Sequence, residues 1–191
     1  MVRRNQNKEK LLEAGMSLIC ERGIEATSIS EITGAVDLPK GSFYNYFRSK
    51  DEFVLELVEL YKKIILSYDH KEQDPKERLE KIYEQHVDFF VGNNFKSECL
   101  TNVMCHEVNE KNDSFRTITK NLVYNKKLLM YKIYELLQKE HRLFTHLSLE
   151  DFIDLMDSGL RGAMIRSKIM KDQKPFDVYM KFLFKDLIKD A

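Results

Sequence analysis

The strongest chemical signal in the chain lies between Thr27 and Phe53. Within it runs Lys40-Gly41-Ser42-Phe43-Tyr44-Asn45-Tyr46-Phe47. On a helix, Phe43 and Phe47 share one face and would pack inward with Ile32, Val36 and Leu38. The other face carries Lys40, Ser42, Tyr44, Asn45 and Tyr46, each able to hydrogen-bond a phosphate or a base edge. A short helix with an apolar aromatic back and a polar aromatic front suits a reading head laid into a DNA major groove.

Other chemistries find less support. Cys105-His106-Glu107 holds three metal-ligand types in a row, but successive helical residues point about 100° apart and cannot converge on one ion. Cys99 and Cys105 fall on largely opposite faces of one helix, which disfavours a disulfide between them. His70, His86, His141 and His146 show no ligand spacing. No glycine-rich phosphate loop and no serine–histidine–aspartate signature is found, so neither a metal nor a cofactor is expected, and the chain does not read as an enzyme.

The elements that must position these residues are helical throughout. Only seven glycines and three prolines punctuate the 191 residues, and no stretch alternates at period two. Leu11, Ala14, Gly15, Leu18 and Ile19 form a stripe on a first helix ending near Gly23. Ser28 and Glu31 make a capping box for a short second helix burying Ile29, Ile32 and Val36. Asp37-Leu38-Pro39 breaks that helix, and Pro39 opens a third short one. Ser49 and Glu52 make a second capping box, starting a long helix to about Tyr68. Further helices are predicted from Pro75 to about Val91 with Asp74 as N-cap, from about Glu98 to Asn109, from about Asp113 to Glu140, and from Ser148 to about Asp172. A last one begins at Pro175 with Phe176, Met180, Leu183 and Leu187 on one face. The expected class is all-α: residues 1–50 as a helix-turn-helix domain and residues 51–191 as a helical sensing and pairing domain.

Composition is that of a globular protein, 43% hydrophobic and 32% charged, with 31 basic and 31 acidic residues. A neutral chain does not bind nucleic acid by bulk charge. Locally, however, Arg3, Arg4, Lys8 and Lys10 face only Glu9 in the first ten residues, and Lys40, Arg48 and Lys50 cluster soon after. Three cysteines are an odd number with no metal-type pairing. No apolar run reaches the roughly 20 residues of a membrane helix. A cytoplasmic protein with no membrane partner is expected.

The stretch Thr27–Phe53 resembles the DNA-binding signature of tetracycline-repressor-family regulators, over roughly residues 8–55. That resemblance implies a homodimer on double-stranded operator DNA. Tyr44, Tyr46, Lys50 and Thr27 or Ser28 would bind phosphates, and Lys40, Gly41, Ser42 and Asn45 would approach base edges. Gly41 would permit close backbone approach. The chain departs from the pattern at Tyr46, where histidine is common, and at Arg48, where proline is common.

Farther along, Ser97–Val108 with Ser114-Phe115-Arg116 is similar to the subgroup that includes the repressor of N-ethylmaleimide reductase, which implies an electrophile-sensing cysteine at Cys99. With Ser97 as cap, Cys99 would lie in a helix first turn, where free N–H groups favour a thiolate, although Glu98 opposes this. A small-molecule effector would instead use a mixed methionine and aromatic interior: His86, Phe89, Phe90, Met104, Tyr124, Met130, Tyr131, Phe152 and Met156. Gly159, Gly162 and Ala163, with Phe176, Met180, Leu183 and Leu187, would form the dimer face. The expected function is a ligand- or oxidant-released repressor; the alternative is a helical enzyme or binding module using the C-terminal cavity.

Overall fold

Local bonding rules fix where the helices begin and end in the structure, a computed structural model that describes residues 2–67, 74–107, 113–140 and 142–190. Helix α1 spans Val2–Arg22 and stops at Gly23, whose φ of +97° favours a residue without a Cβ. The Ser28 hydroxyl accepts the Glu31 N–H at 3.2 Å, and the Glu31 carboxylate accepts the Ser28 N–H at 2.8 Å. This capping box opens α2, Ile29–Gly34. The expected third helix is a tighter 3-10 segment, Lys40–Asn45, with Ser42 N–H donating to the Pro39 carbonyl at 2.8 Å. Phe43 lies within it and Phe47 two residues past its end, and both are buried.

Helix α3 spans Lys50–Ser67, and its N-terminal Glu52 N–H donates to the Ser49 hydroxyl at 3.1 Å. The second capping box is displaced by one residue, because the Glu52 carboxylate accepts the Arg48 N–H. Asp74 caps α4, Pro75–Gly92, accepting the Lys76 N–H at 2.9 Å. Helix α5 spans Leu100–Glu107, α6 spans Asp113–Lys139, and α7 spans Leu149–Met170 behind the Ser148 cap. Helix α8, Lys174–Lys181, loosens into a π-helical turn at Phe182–Leu187, where one continuous final helix is expected. The expected helix ends near Tyr68 and Asn109, and His70 and His141, lie outside the described residues. Among the described residues no strand forms, and Leu143 and Ile188 make an isolated bridge.

Packing divides the chain into two units: Met1–Ile64 with Ser97–Leu122, and Ile65–Lys96 with Val123–Ala191. The core of the first joins Leu11 and Ile19 of α1, Ile32 of α2, Phe43 and Phe47, Phe53 and Leu57 of α3, and Leu100 and Met104 of α5. Gly15 is explained here. A Cβ at that position would run into the Phe53 ring, so α1 and α3 approach as closely as they do only over a glycine. The second unit buries Leu79, Phe90, Ile133, Tyr134, Phe152, Phe176 and Leu183. It is tied together at its edge by Arg142, which pairs with Asp74 and donates to the Lys189 carbonyl.

Phe43 is fully buried, 5.1 Å from the Phe47 ring and 5.4 Å from the Phe53 ring between centroids. Truncation to alanine leaves a cavity at the centre of the first unit, so Phe43→Ala is expected to lower unfolding free energy by about 3–5 kcal/mol. Urea unfolding measures this, and a loss below about 1 kcal/mol would remove the ring from its anchoring role.

Candidate nucleic-acid interface and cavity

The reading segment is built from the inside outward. Phe43, Phe47 and Phe53 form a tilted and edge-on aromatic cluster, which orients the backbone between Pro39 and Ser49. The residues between the anchors must then face out. Lys40, Gly41, Asn45 and Tyr44 are exposed, Tyr44 by 55%, while Ser42, Tyr46 and Lys50 are half-buried. A Cβ at Gly41 would meet nothing within 4 Å, so the glycine leaves an open approach beside the backbone. Ser28 is exposed at the start of α2. These eight residues share the first unit, and they include the five side-chain donors of the reading segment expected to touch DNA: Lys40, Ser42, Tyr44, Asn45 and Tyr46.

Thr27 is a correction. It is buried, and its hydroxyl donates to the Gly23 carbonyl at 2.7 Å, so it braces the α1–α2 turn and does not present an oxygen to a phosphate. Arg48 is an addition. Its side chain is exposed beside Lys50, with its backbone N–H held by Glu52. The excess of cations around residues 40–50 signalled it. Lys8 reaches the Phe47 ring at 5.4 Å and pairs with Glu56 at 2.6 Å, so it serves the packing of α1 on α3.

The second unit holds a small cavity among α4, α6 and α7, of about 30 Å³. Ile82, Val123, Met130, Ile153 and Leu160 make its apolar walls. Its polar pole is His86 with the Lys126–Asp157 pair at 2.9 Å, and Asp157 also accepts from Arg161 at 2.7 Å. Burial raises the Asp157 carboxyl, but the two cations outweigh it and hold the group below its ordinary range. Burial, helped by the Lys126 charge, pushes the His86 imidazole down to about 4, so it is neutral at pH 7. Its Nδ1 lies 2.7 Å from the Ile82 carbonyl and so carries the proton. Beside the cavity, the hydroxyls of Tyr134, Tyr83 and Tyr179 follow one another at 3.2 Å, and Tyr179 donates to the Met156 carbonyl at 2.8 Å. That chain ends on a backbone acceptor, which makes it a structural brace.

Of the residues expected to line an effector site, the cavity brings together His86 and Met130. Phe89, Tyr124 and Tyr131 are on the surface, exposed by 50%, 60% and 40%. Phe90 packs edge-on against Phe176, and Phe152 against Tyr134. Met156 is core, and Met104 belongs to the other unit. The sequence reading did not single out Lys126 and Asp157, two charged residues within predicted helices.

The expected pairing face is also redrawn. Phe176 and Leu183 are fully buried within the chain, Met180 and Leu187 half so. Ala163 is buried, and a Cβ on Gly159 would lie 2.9 Å from the Tyr179 ring, so these small residues serve the packing of α7 on α8. Gly162 has nothing within 4 Å of its Cβ position. It opens on a groove of about 480 Å³ that Arg166, Met170, Val178 and Phe182 also line. Leu155, Ile165 and Ile169 extend exposed apolar surface along α7.

Cys99 lies one residue before α5 and is buried, so it does not occupy the first turn of a helix as the sequence suggests. Cys20 is buried too, and its thiol is pushed up to about 12 by burial, then by the neighbouring Cys99 and Glu98. Cys105 is exposed. Among the described residues, no three ligand-type side chains group to hold a metal, and no helix is long and apolar enough to cross a membrane.

Residues 11–57 match the family described as bacterial regulatory proteins, tetR family. The chain is 24% identical to the HTH-type transcriptional repressor DhaR of Mycobacterium sp. (strain GP1), over 95% of this chain and 92% of that protein. It is 29% identical to the HTH-type transcriptional repressor NemR of Escherichia coli (strain K12), over 59% of each. The crystal structure of E. coli NemR in its reduced form superposes with a TM-score of 0.81 at 24% identity, covering 97% of this chain and 100% of that one.

Alkylation in the folded protein is expected to label Cys105 first, because attack needs an accessible thiolate. Cys20 and Cys99 should react only once the chain unfolds. Mass spectrometry after brief treatment with N-ethylmaleimide reads the order, and early labelling of Cys99 would mean that its pocket opens readily in solution.

Proposed function

We infer that this chain, a transcriptional regulator of the tetR family by its N-terminal domain, is a repressor that binds a palindromic operator as a homodimer and is released by a small effector. The observation that carries the reading is the exposed set Lys40, Gly41, Tyr44 and Asn45 on a segment anchored from behind by Phe43, Phe47 and Phe53. Rigid backing matters because a bidentate contact to a base edge tolerates little displacement. Tyr44, Tyr46, Lys50, Ser28 and Arg48 are the proposed phosphate contacts, Lys40, Gly41, Ser42 and Asn45 the proposed base-edge contacts, and residues 1–50 the DNA-binding domain. DhaR and NemR, both named as repressors, support the sign of regulation. The chain acts by binding and not by catalysis.

The effector is proposed to enter the cavity at Ile82, His86, Lys126, Met130 and Asp157. At about 30 Å³ that space holds roughly one water, so an effector must select a more open state. Its preference for that state limits how far operator affinity can fall. Cys99 sensing is the weaker reading, since burial shields the thiol. A second copy is proposed to pair at the groove beside Gly162, with Leu155, Ile169, Val178 and Phe182 supplying apolar area.

Gel shift and footprinting on the DNA upstream of its own gene test the repressor reading. A palindromic footprint with binding that weakens steeply with salt supports it; no binding at low salt overturns it. Asn45→Ala is expected to relax base preference at one position of each half-site by about 1–3 kcal/mol. A selection over randomised operators returning the wild-type site would strike Asn45 from the base contacts. Gly162→Arg places a long cation in the pairing groove, and monomers with lost operator binding are expected. Sedimentation showing intact dimers would move the interface elsewhere.

A further inference from the structure

In the first unit, helix α5 grips the end of α1 at two places. Two residues before its start, the Glu98 N–H donates to the Cys20 carbonyl at 2.7 Å. At its last residue, the Glu107 carboxylate straddles the turn between α1 and α2: Oε1 accepts the Ile24 N–H at 2.7 Å and Oε2 the Glu25 N–H at 3.2 Å. These two donors follow the end of α1 and have no helical partner of their own. A carboxylate taking both is a charge-assisted clamp. The turn is shaped to receive it. Gly23 has φ +97°, and a Cβ there would collide with Glu107 Oε1. On the other side of the same turn, Thr27 donates to the Gly23 carbonyl at 2.7 Å, and Ser28 then caps α2.

We propose that Glu107 is a positioning residue for DNA binding: by clamping the Ile24 and Glu25 N–H groups it fixes the angle at which α2 and the reading segment leave α1. Glu107 touches no DNA. It acts through the turn, and α5 is thereby the element whose displacement would swing the reading segment. The proposal rests on the repressor reading above. It assigns the carboxylate a role beyond holding the fold together, because a tilt of each reading segment changes the distance between the two heads of a dimer. That distance must match half-sites about one helical turn apart.

The test uses the full-length protein, wild type and variants, on operators whose central spacing is varied by single base pairs. Glu107→Ala is expected to weaken binding at the natural spacing by about tenfold, the scale of one lost charge-assisted bond, and to flatten the preference among spacings. Glu107→Gln keeps one oxygen able to accept from Ile24, and should recover most of the affinity and the spacing preference. Gly23→Ala should weaken binding as Glu107→Ala does, and the double variant should be little worse than either single one. Thermal midpoints, with all binding measured well below them, separate folding from positioning. Equal affinity for Glu107→Ala and wild type overturns the proposal. So does a loss that is the same at every spacing, or that Gln does not rescue. If the wild-type protein itself binds none of the operators, the repressor reading fails and this proposal with it; wild-type binding with unaffected variants defeats this proposal alone.

Discussion

The contact of the Phe53 ring with Gly15 is the constraint on which the first unit depends. Phe53 fills the space a Cβ would take, and its other neighbours are the rings of Phe43, at 5.4 Å, and Phe47, at 4.9 Å. Aromatic rings this close are held in direction as well as distance. Because Phe43 and Phe47 flank Tyr44, Asn45 and Tyr46 in the chain, fixing the two anchors fixes what lies between them. The polar side chains face out as a consequence of where the rings face in. Dense packing is what allows six residues of 3-10 helix, too few to be stable alone, to hold a defined shape.

Much of this frame was legible in the sequence because its causes are local. The Ser28–Glu31 box, the Asp74 and Ser148 caps and the Gly23 stop each depend on residues within four positions, and all appear where the residue types put them. Phe43 and Phe47 were readable as core from their spacing. Side-chain destinations that depend on another helix were not. Thr27 looks like any hydroxyl at a helix start, and only the position of the Gly23 carbonyl turns it inward. Phe176 and Leu183 are apolar residues of a terminal helix, and spacing alone cannot tell a face buried against α7 from one left for a second copy. Tyr124 and Phe89 have the composition of cavity walls yet lie outside, and Lys126 and Asp157 have the composition of a surface yet frame the cavity.

Cys99 shows the same limit from the opposite side. The sequence rule for reactive thiols uses helix position, since the first-turn N–H groups stabilise a thiolate. In the structure the helix begins one residue later, and the Cys99 carbonyl accepts the Asn102 and Val103 N–H groups at 2.9 and 3.2 Å. Its thiol stands instead in a buried cluster with Cys20 and the Tyr61 phenol, whose pKa burial pushes well above the usual value. An interior that raises both a thiol and a phenol is hostile to charge. Burial keeps the Cys99 thiol from reagents wherever the helix begins, since attack needs access as well as a thiolate.

A neutral chain that reads DNA needs its charges sorted by location, and the ion pairs show how. Lys8 is spent on Glu56, Arg22 on Glu31, and Lys127 on Glu150 and Asp154, so many cations are compensated by their own neighbours. Lys40 and Arg48 stand exposed at the two ends of the anchored segment. Exposed pairs contribute little to stability, about 0–1 kcal/mol each. They offset positive charge elsewhere in the chain, while Lys40, Arg48 and Lys50 have no acidic residue between positions 40 and 50. On the proposed reading, a local group of cations would draw phosphate to the segment that carries the proposed base contacts, which a uniformly basic surface would not do.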